Sequence, residues 1–366
     1  MEKIKIGIVG CGTISGIYLE NLTQKFYQVE LVAVSDLCMD KAKEVAEKYN
    51  IKAMTTEELL ADPAIQIVVN LTTPKSHFEI NMAALTAGKH VYCEKPLAVI
   101  REDGDKVVAF AKEKGLLVGG APDTFLGGGI QTCIKLINDG WIGKPVAATA
   151  FMMCHGHESW HPDPEFYYQT GGGPMFDMGP YYLTALVSML GSIKRVSGSA
   201  GISFPTRTIT SEKKYGNIVD VEVPTHVAGV MDFESGAIGT IITSFDVWGA
   251  NLPRIEIYGS GGTLSVPDPN TFGGPVKIRS HHSEEWHEVP LTHGFAMNSR
   301  GVGIADMANA IQTGRVNRAN GELTNHVLDV MHGFHDASSS GVYYETKTRC
   351  EKPNPLPLGL SEHEIS

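Results

Sequence analysis

The stretch Lys3–Ser15, KIKIGIVGCGTIS, decides the fold of the N-terminal part of this chain. Its opening residues are rich in β-branched side chains and predict a strand, and a helical pattern follows the glycines. Gly10 permits a tight turn, and Gly12 permits backbone N–H groups to approach a pyrophosphate at the helix N-terminus. The order strand, glycine turn and helix therefore predicts a dinucleotide site that includes Thr13 and Ile14.

A second strand pattern, Glu30–Ser35, ends at Asp36. A carboxylate at this strand end accepts hydrogen bonds from the adenosine ribose hydroxyls and repels the 2′-phosphate of NADP. No arginine stands beside Asp36 to compensate for that repulsion. The sequence therefore predicts NAD as the cofactor and disfavours NADP. The alternative is that Asp36 only caps the helix that begins near Asp40.

Strand and helix patterns continue to alternate through about the first 120 residues, which predicts an open parallel sheet. Ligands of such sheets bind beyond the carboxyl ends of the strands. Two further predicted strands end in polar or proline-containing segments. We expect the residues at these ends to contact the cofactor, namely Thr72, Thr73, Pro74, Glu94, Lys95 and Pro96, together with His77 in the helix that follows the first of them.

The composition argues against two classes of partner. The 366-residue chain has a formal net charge of −11 and no run of Lys or Arg, so it repels nucleic acid and anionic membrane surfaces. No apolar stretch approaches the roughly 20 residues of a membrane span, and the N-terminus enters a strand without a signal segment. Six widely spaced cysteines predict free thiols. We expect a cytoplasmic protein that binds neither nucleic acid nor membrane.

Three motifs carry a resemblance to a known family. The first is VNLTTP at Val69–Pro74, followed by His77; the second is GKHVYCEKPL at Gly88–Leu97; the third is GGGPMFDMG at Gly171–Gly179. In this order and spacing they resemble the motifs of the Gfo/Idh/MocA oxidoreductases, named for glucose-fructose oxidoreductase and inositol dehydrogenase. The resemblance covers nearly the whole chain.

The resemblance implies a two-domain α/β architecture. Residues 1–122 are expected to form an NAD-binding Rossmann domain, a doubly wound parallel sheet. Residues 123–350 are expected to form an α/β domain with a large, mostly antiparallel open sheet that serves substrate binding and oligomerisation. Residues 351–366 are rich in proline and are expected to form a surface tail. Because an open sheet needs cover, we expect a homodimer or homotetramer.

The resemblance also implies a reaction and its residues. The family mostly oxidises secondary alcohols of sugars, inositols and related polyols, or reduces the matching ketones. By the family pattern, Lys95 and Asp177 are active-site residues. The histidine that usually follows the aspartate in this motif is replaced here by Tyr181.

Tyr181 is the candidate for exchanging the hydroxyl proton of the substrate. Tyrosine has a reference pKa of about 10 and is a poor base unless a cation lowers that pKa, and we expect Lys95 to supply the charge. Asp177 is expected to hold the lysine or to bind a neighbouring substrate hydroxyl. The alternative is that Tyr181 only anchors its helix. We expect that helix to display Tyr181 beside an apolar stripe formed by Leu183, Leu186, Val187 and Leu190.

The segment Cys154–Tyr168, CHGHESWHPDPEFYY, falls where substrate loops of the family lie. Its imidazole and aromatic side chains suit a polyhydroxyl ring, although a merely structural polar loop is an equal alternative. The three histidines His155, His157 and His161 also admit zinc, but their spacing matches no strict ligand pattern, and we predict no metal. The predicted substrate-binding residues are Asp123, His157, Trp160, His161 and Tyr168.

Two other functions remain open from the sequence. One is a glycosidase that oxidises its sugar transiently, so that the dinucleotide shows no net turnover. The other is a non-catalytic dinucleotide-binding sensor, which the presence of Lys95, Asp177 and Tyr181 disfavours. The expected function is hydride transfer between NAD(H) and a sugar, inositol or related polyol.

Overall fold

A doubly wound parallel sheet forms the N-terminal part of the computed structural model, which describes residues 2–365. Its elements are β1 (Ile4–Val9), α1 (Ser15–Gln24), β2 (Val29–Ser35), α2 (Met39–Tyr49), β3 (Lys52–Ala53), α3 (Thr56–Ala61), β4 (Ile67–Asn70), α4 (Pro74–Thr86), β5 (His90–Cys93), α5 (Arg101–Lys114) and β6 (Val118–Gly120). The strands lie in the order β3-β2-β1-β4-β5-β6. Every residue of β4 is buried, as expected where helices cover both faces. The predicted Rossmann sheet is confirmed.

A larger sheet follows. Its elements and the helices around it are α6 (Gly128–Asn138), β7 (Pro145–Met153), α7 (Pro174–Asp177), α8 (Gly179–Leu190), β8 (Ile193–Gly201), β9 (Thr206–Thr208), β10 (Ile218–Asp220), β11 (His226–Phe233), β12 (Ile238–Ser244), β13 (Ile255–Gly259), β14 (Gly262–Val266), β15 (Val276–Ser280), β16 (His287–Val289), α9 (Val302–Thr313), α10 (Gly321–Ser340) and β17 (Tyr344–Glu345). Nine strands lie in the order β16-β15-β14-β13-β7-β12-β11-β8-β17, and β9 pairs with β10 separately. The predicted large, mostly antiparallel sheet is confirmed.

One pair of neighbours in the larger sheet is parallel. Strand β12 runs beside β7, with Ser244 opposite Met153 at their carboxyl ends. The chain therefore leaves both strands at the same edge of the sheet. The segment after β7 contains His155 and His157, and the segment after β12 contains Phe245 and Trp248. This shared edge brings two distant parts of the sequence together.

The helix that carries Tyr181 differs from its prediction. All twelve residues of α8 are buried, so the helix has no exposed face beside an apolar stripe. The reason is its central position, since α8 packs on α6, on β7 and on α10. Tyr181 itself is 7% exposed. Tyr181 is thus largely enclosed by the protein, rather than displayed at one side of an apolar stripe.

The C-terminal segment is also more embedded than expected. Pro353, Leu356 and Ile365 are buried, and Leu356 N donates to Gln131 Oε1 at 2.8 Å. His363 stacks on Tyr27, with ring centroids 4.9 Å apart. Most residues of the segment are exposed, as expected of a surface tail, and these contacts attach it to the rest of the fold. The contacts join the segment to α6 and to the residues that follow α1.

No helix within residues 2–365 combines the length and apolar character that a membrane crossing requires. All six cysteines are unpaired.

Candidate active site

The glycine turn after β1 has the geometry of a pyrophosphate site. Gly10 has φ of 106°, and a Cβ there would lie 2.6 Å from the carbonyl oxygen of Leu71. Gly12 is exposed, and a Cβ there would have no neighbour within 4 Å. Ser15 closes the turn by donating from N and Oγ to the carbonyl of Gly12 at 3.0 and 2.7 Å. Space is thus open beside Gly12, where a phosphate approaches the N-terminus of α1. The exposed Thr13 and Ile14 border that space.

Asp36 joins the glycine turn to the next helix. Its Oδ2 accepts from Cys11 N at 2.8 Å, and its Oδ1 accepts from Cys38 N at 2.8 Å. The bond to Cys38 lies at the N-terminus of α2, so the capping alternative describes part of what this residue does. Each carboxylate oxygen has a further acceptor site for a ribose hydroxyl. The half-buried Asp36 can therefore bind the ribose of the dinucleotide and still accept the hydrogen bond at the start of α2.

Of the predicted cofactor-binding residues that follow β4, only some are accessible to a ligand. Thr73 is exposed, and Thr72 and Pro74 are half-buried at the start of α4. His77, however, is 1% exposed, with Nδ1 2.7 Å from the carbonyl oxygen of Pro96 and Nε2 3.0 Å from that of Thr72. The expectation that His77 contacts the cofactor is therefore wrong in this structure. Its ring occupies the space between two strand ends and fixes them relative to each other.

Glu94 is likewise a buried anchor. Its Oε1 accepts from the Tyr18 hydroxyl at 2.8 Å, and its Oε2 accepts from Lys95 N at 2.9 Å. The side chain links α1 to the end of β5, and the residue is 7% exposed. Glu94 thus orients the backbone that carries Lys95.

Lys95, Asp177 and His157 form a connected polar cluster, which we call the Lys95 cluster. Lys95 Nζ donates to Oδ1 and to the carbonyl oxygen of Asp177, both at 2.8 Å. The other carboxylate oxygen, Oδ2, lies 3.1 Å from His157 Nε2. The side chains of Lys95 and Asp177 are 18% and 16% exposed. The cluster therefore joins β5, α7 and the segment after β7 at a partly open position.

The cluster favours the charged forms of its ion pair. Burial opposes the charge on Asp177, but Lys95 and the hydrogen bond from His157 outweigh it and hold the pKa of that carboxyl well below its usual range. Burial likewise opposes the charge on Lys95, but Asp177 and further anionic neighbours raise the pKa of the ammonium group above its usual value. Neither group exchanges a proton readily at neutral pH.

Tyr181 lies beside the cluster but has a different pKa from the one predicted. Lys95 Nζ is 5.5 Å from the centre of the tyrosine ring. Burial raises the pKa of Tyr181, and the lowering by Lys95 and Arg300 does not outweigh it. The expectation that Lys95 brings this pKa towards neutrality is therefore wrong. The phenol remains protonated and can donate a hydrogen bond.

Arg300 is a neighbour of Tyr181 that sequence reasoning missed. It precedes α9, and its guanidinium donates to Asn270 Oδ1 at 2.7 Å. The pKa of Arg300 is raised: burial opposes its charge, and Tyr181 and Asp123 favour it. No local motif marks this arginine, because the tertiary fold alone brings it to Tyr181.

Asp123 is part of the support for Arg300 rather than an open substrate contact. It is 1% exposed, and its Oδ2 accepts from Gly301 N at 2.8 Å and from Gly303 N at 3.0 Å. Burial raises the pKa of this carboxyl to about 6, against the lowering effect of those backbone donors and Arg300. The predicted substrate contact is corrected to a cap at the start of α9.

The two tyrosines of the predicted substrate segment lie in different environments. Tyr168 is fully buried, and its hydroxyl donates to Glu158, so its predicted substrate contact is wrong. The preceding residue, Tyr167, is half-buried, with its ring centroid 4.2 Å from that of His157. Asp177 and Tyr181 are among the groups that raise its pKa after burial, which places Tyr167 beside the Lys95 cluster. Nothing in the pattern EFYY distinguishes the two tyrosines.

The remaining aromatic and imidazole groups of the segment differ in exposure. Trp160 is 61% exposed and packs against His161, with ring centroids 5.3 Å apart. His161 Nδ1 accepts from Asp163 N at 3.0 Å. Trp160 thus stays available to a ligand, whereas one nitrogen of His161 is occupied by its own loop.

The three histidines of the segment do not converge. His155 stacks on Trp248 with ring centroids 3.5 Å apart, whereas His157 contacts Asp177 and His161 contacts Asp163. Across residues 2–365, no three His, Cys, Asp or Glu side chains are grouped to hold a metal ion. The zinc alternative therefore has no geometric support.

Comparison with known proteins gives matches over both sheets. Residues 4–120 match the GFO/IDH/MocA profile described as an oxidoreductase family with an NAD-binding Rossmann fold, and residues 130–265 match the GFO/IDH/MocA C-terminal domain. Myo-inositol 2-dehydrogenase of Thermotoga maritima is 26% identical over 264 residues, which are 71% of this chain and 74% of that protein.

Solved structures share the whole architecture. An NAD binding oxidoreductase from Klebsiella pneumoniae superposes with a TM-score of 0.82 at 22% identity, covering 94% of this chain and 99% of that chain. Levoglucosan dehydrogenase in complex with NADH and levoglucosan superposes with a TM-score of 0.79 at 19% identity, covering 94% of this chain and 99% of that chain. At these identities the superpositions establish the fold.

Proposed function

The chain belongs to the GFO/IDH/MocA family of NAD-binding oxidoreductases, and on that premise we propose that its substrate is a sugar, inositol or related polyol. The reaction is the interconversion of a secondary alcohol and its ketone. NAD(H), when bound, accepts or supplies the hydride. The glycine turn and Asp36 fit that dinucleotide, because the turn leaves space beside Gly12 and Asp36 retains acceptor sites for the ribose.

The observation that carries the proposal is the position of the Lys95 cluster. Lys95 follows β5, at the carboxyl edge of the parallel sheet where ligands of this fold bind. Two N–H groups of its ammonium donate hydrogen bonds to Asp177. The third N–H group is left to donate to a substrate oxygen. A charged donor fixed by an ionised partner suits an oxygen that gains negative charge during the reaction.

We assign different proton roles to the surrounding groups. Tyr181, whose pKa is raised by burial, acts as a donor of a hydrogen bond or proton to the oxygen of the reacting carbon. Asp177 stays ionised and orients Lys95 and His157. His157 hydrogen-bonds the carboxylate of Asp177 through Nε2 and thereby holds it in place beside Lys95. The predicted proton exchange therefore stays with Tyr181, which donates its proton to the ketone oxygen in reduction and takes up the alcohol proton in oxidation.

The relatives support the substrate class. The Thermotoga relative is named as a myo-inositol 2-dehydrogenase, and the structurally similar protein as a levoglucosan dehydrogenase. Trp160 and Tyr167 offer aromatic surface at the mouth of the cluster, and such surface packs on the C–H face of a sugar ring.

The proposal is tested by following NADH absorbance while the protein is offered a panel of polyols and, with NADH, a panel of keto-sugars. We expect turnover with at least one neutral sugar or inositol. Absence of turnover with every member, under conditions where NAD binds, would overturn the proposed function. Release of the leaving group of a glycoside without net NADH would instead identify the transient-oxidation glycosidase.

Assembly and location follow from separate features. The nine-stranded sheet leaves alternate residues of β11 half-exposed, such as His226, Ala228 and Val230, and a second copy of the chain would cover this face. We therefore propose a homodimer or homotetramer, to be checked by light scattering. The six unpaired cysteines support a reducing, cytoplasmic location.

A further inference from the structure

The triple glycine Gly171–Gly173 joins Tyr167 to the short helix that carries Asp177. Gly173 N donates to the carbonyl oxygen of Tyr167 at 2.6 Å, and Asp177 N donates to the carbonyl oxygen of Gly173 at 2.9 Å. A Cβ at Gly172 would lie 2.7 Å from the carbonyl oxygen of Tyr167, so this close approach requires glycine. The motif therefore fixes the backbone of Tyr167 relative to the Lys95 cluster.

Aromatic neighbours hold the ring of Tyr167 beside the same cluster. Its centroid lies 4.2 Å from that of His157, whose Nε2 is 3.1 Å from Asp177 Oδ2. The rings of Phe166 and His161 pack on it, with centroids 4.0 and 5.3 Å away. Tyr167 is nevertheless only half-buried. Its ring is thus held in place while part of the side chain stays accessible to a ligand.

The hydroxyl of Tyr167 is free to bind a ligand. Within residues 2–365 it forms no hydrogen bond, whereas the hydroxyl of the adjacent Tyr168 donates to Glu158. The unpartnered hydroxyl of Tyr182 is fully buried, but that of Tyr167 keeps accessible surface. Burial raises the pKa of Tyr167, and Asp177 raises it further against the lowering by Lys95. The phenol is therefore protonated and can donate a hydrogen bond.

Tyr167 offers a contact that the reacting oxygen does not use. That oxygen is assigned above to Lys95 and Tyr181, whereas Tyr167 reaches the cluster from the segment after β7. A phenol hydroxyl both donates and accepts, as a sugar hydroxyl does. A site built to hydrogen-bond such a hydroxyl discriminates against an analogue that lacks it, because its own polar group is then left unpaired.

We propose that Tyr167 determines substrate specificity by donating a hydrogen bond to a second hydroxyl of the substrate ring, distinct from the one that is oxidised. The inference rests on the proposed function and narrows its substrate class to compounds with at least two ring hydroxyls. A substrate that carries only the reacting alcohol leaves Tyr167 without a partner.

The test measures kcat/KM for glucose, myo-inositol and the monodeoxy analogues of both, in wild type and Tyr167→Phe. For a parent compound that turns over, Tyr167→Phe should lower kcat/KM by about three- to tenfold, the effect of one neutral hydrogen bond. For the one analogue that lacks the bonded hydroxyl, the variant should match wild type. Tyr215→Phe is the matched control, because Tyr215 is 75% exposed and lies outside the Lys95 cluster.

Calorimetric titration of the same compounds into the NAD-loaded protein separates the two proposals. Binding of a parent compound that Tyr167→Phe weakens, without turnover in wild type, would support the Tyr167 contact and count against the proposed function. Turnover on which Tyr167→Phe acts equally for the parent and for all its monodeoxy analogues, or not at all, would overturn the contact and leave the proposed function standing. Absence of binding with every compound would also overturn the contact.

Discussion

Two buried charge clusters flank the segment after β7, and they differ in what they leave free. The Lys95 cluster has a lysine and an aspartate that are 18% and 16% exposed, and one lysine proton remains for a ligand. On the other side, Arg207 is 5% exposed and its terminal nitrogens bond to Glu158, Asp246 and the carbonyl of Phe245. The first cluster is open towards a reacting group, whereas the second is largely saturated.

The difference shows that a pair of oppositely charged side chains can leave a donor free for a ligand or can only hold segments of the fold together. An ammonium group held by one carboxylate keeps its charge and a free donor. A guanidinium shared by two carboxylates and a carbonyl holds β9 against the segments after β7 and β12. Partial openness, not burial or charge alone, therefore distinguishes the cluster at which we propose the reaction.

Tyr181→Phe sharpens the account of the open cluster. The substitution removes only the hydroxyl that we assign as a donor, and such acid–base contributions are typically worth about 10²–10⁴-fold, so we expect kcat to fall by that factor. Because burial raises the pKa of Tyr181, wild type should show no phenol ionisation below about pH 10, and the variant should keep the shape of the wild-type pH profile. Steady-state rates from pH 5 to about 10 measure both.

Tyr181→His provides the companion variant, since histidine is the usual residue of the family at this position. It should recover part of the lost activity, with a new limb in the pH profile near the pKa of imidazole. If Tyr181→Phe turns over like wild type, the donor assignment is wrong.

Arg207→Met tests whether the ion pairs of Arg207 with Glu158 and Asp246 stabilise the folded protein. Removing the guanidinium leaves two buried carboxylates without their cation, and breaking a buried pair in this way costs about 3–5 kcal/mol in the free energy of unfolding. Urea denaturation measures it. Arg195→Met is the matched control, because Arg195 is 41% exposed beside Asp232 and its loss should cost no more than about 1 kcal/mol. Equal losses for both variants would contradict the distinction.

Asp36 lies outside both clusters, and we expect its effect on the relative affinity for NAD and NADP to be the smallest of these effects. Its carboxylate should make NAD bind at least about tenfold more tightly than NADP, equivalent to about 1.4 kcal/mol. Calorimetric titration with both dinucleotides measures the ratio, and Asp36→Ala should reduce it. Asp40→Ala, at the exposed start of α2, is the control. Equal or tighter binding of NADP by wild type would refute this role.

Local patterns predicted the parts of the molecule that local geometry dictates. The glycine turn at Gly10 follows from backbone sterics, and Lys95 follows from its place at a strand end. The pairing of Lys95 with Asp177 was one of two expectations for that aspartate, because the family motif carried both residues.

The predictions that were wrong concern residues whose burial is determined by tertiary contacts. Tyr168 and Tyr167 are adjacent in one short helical turn, and only the packing of Glu158 and Arg207 determines which ring is buried. His77 in α4 and Asp123 after β6 have polar side chains close to strand ends, but backbone groups of other segments occupy them. Arg300 enters the site from a distant loop that no spacing rule reaches.

The rate of NADH formation in a single turnover of Lys95→Ala measures whether the reaction takes place at the Lys95 cluster. We predict a rate well below a tenth of that of wild type with the preferred sugar, while the dissociation constant of NAD, measured by calorimetry, changes much less. Lys106→Ala, which removes a lysine that is 61% exposed on α5, should match wild type. A Lys95→Ala variant that retains more than about a tenth of the wild-type rate would contradict the claim.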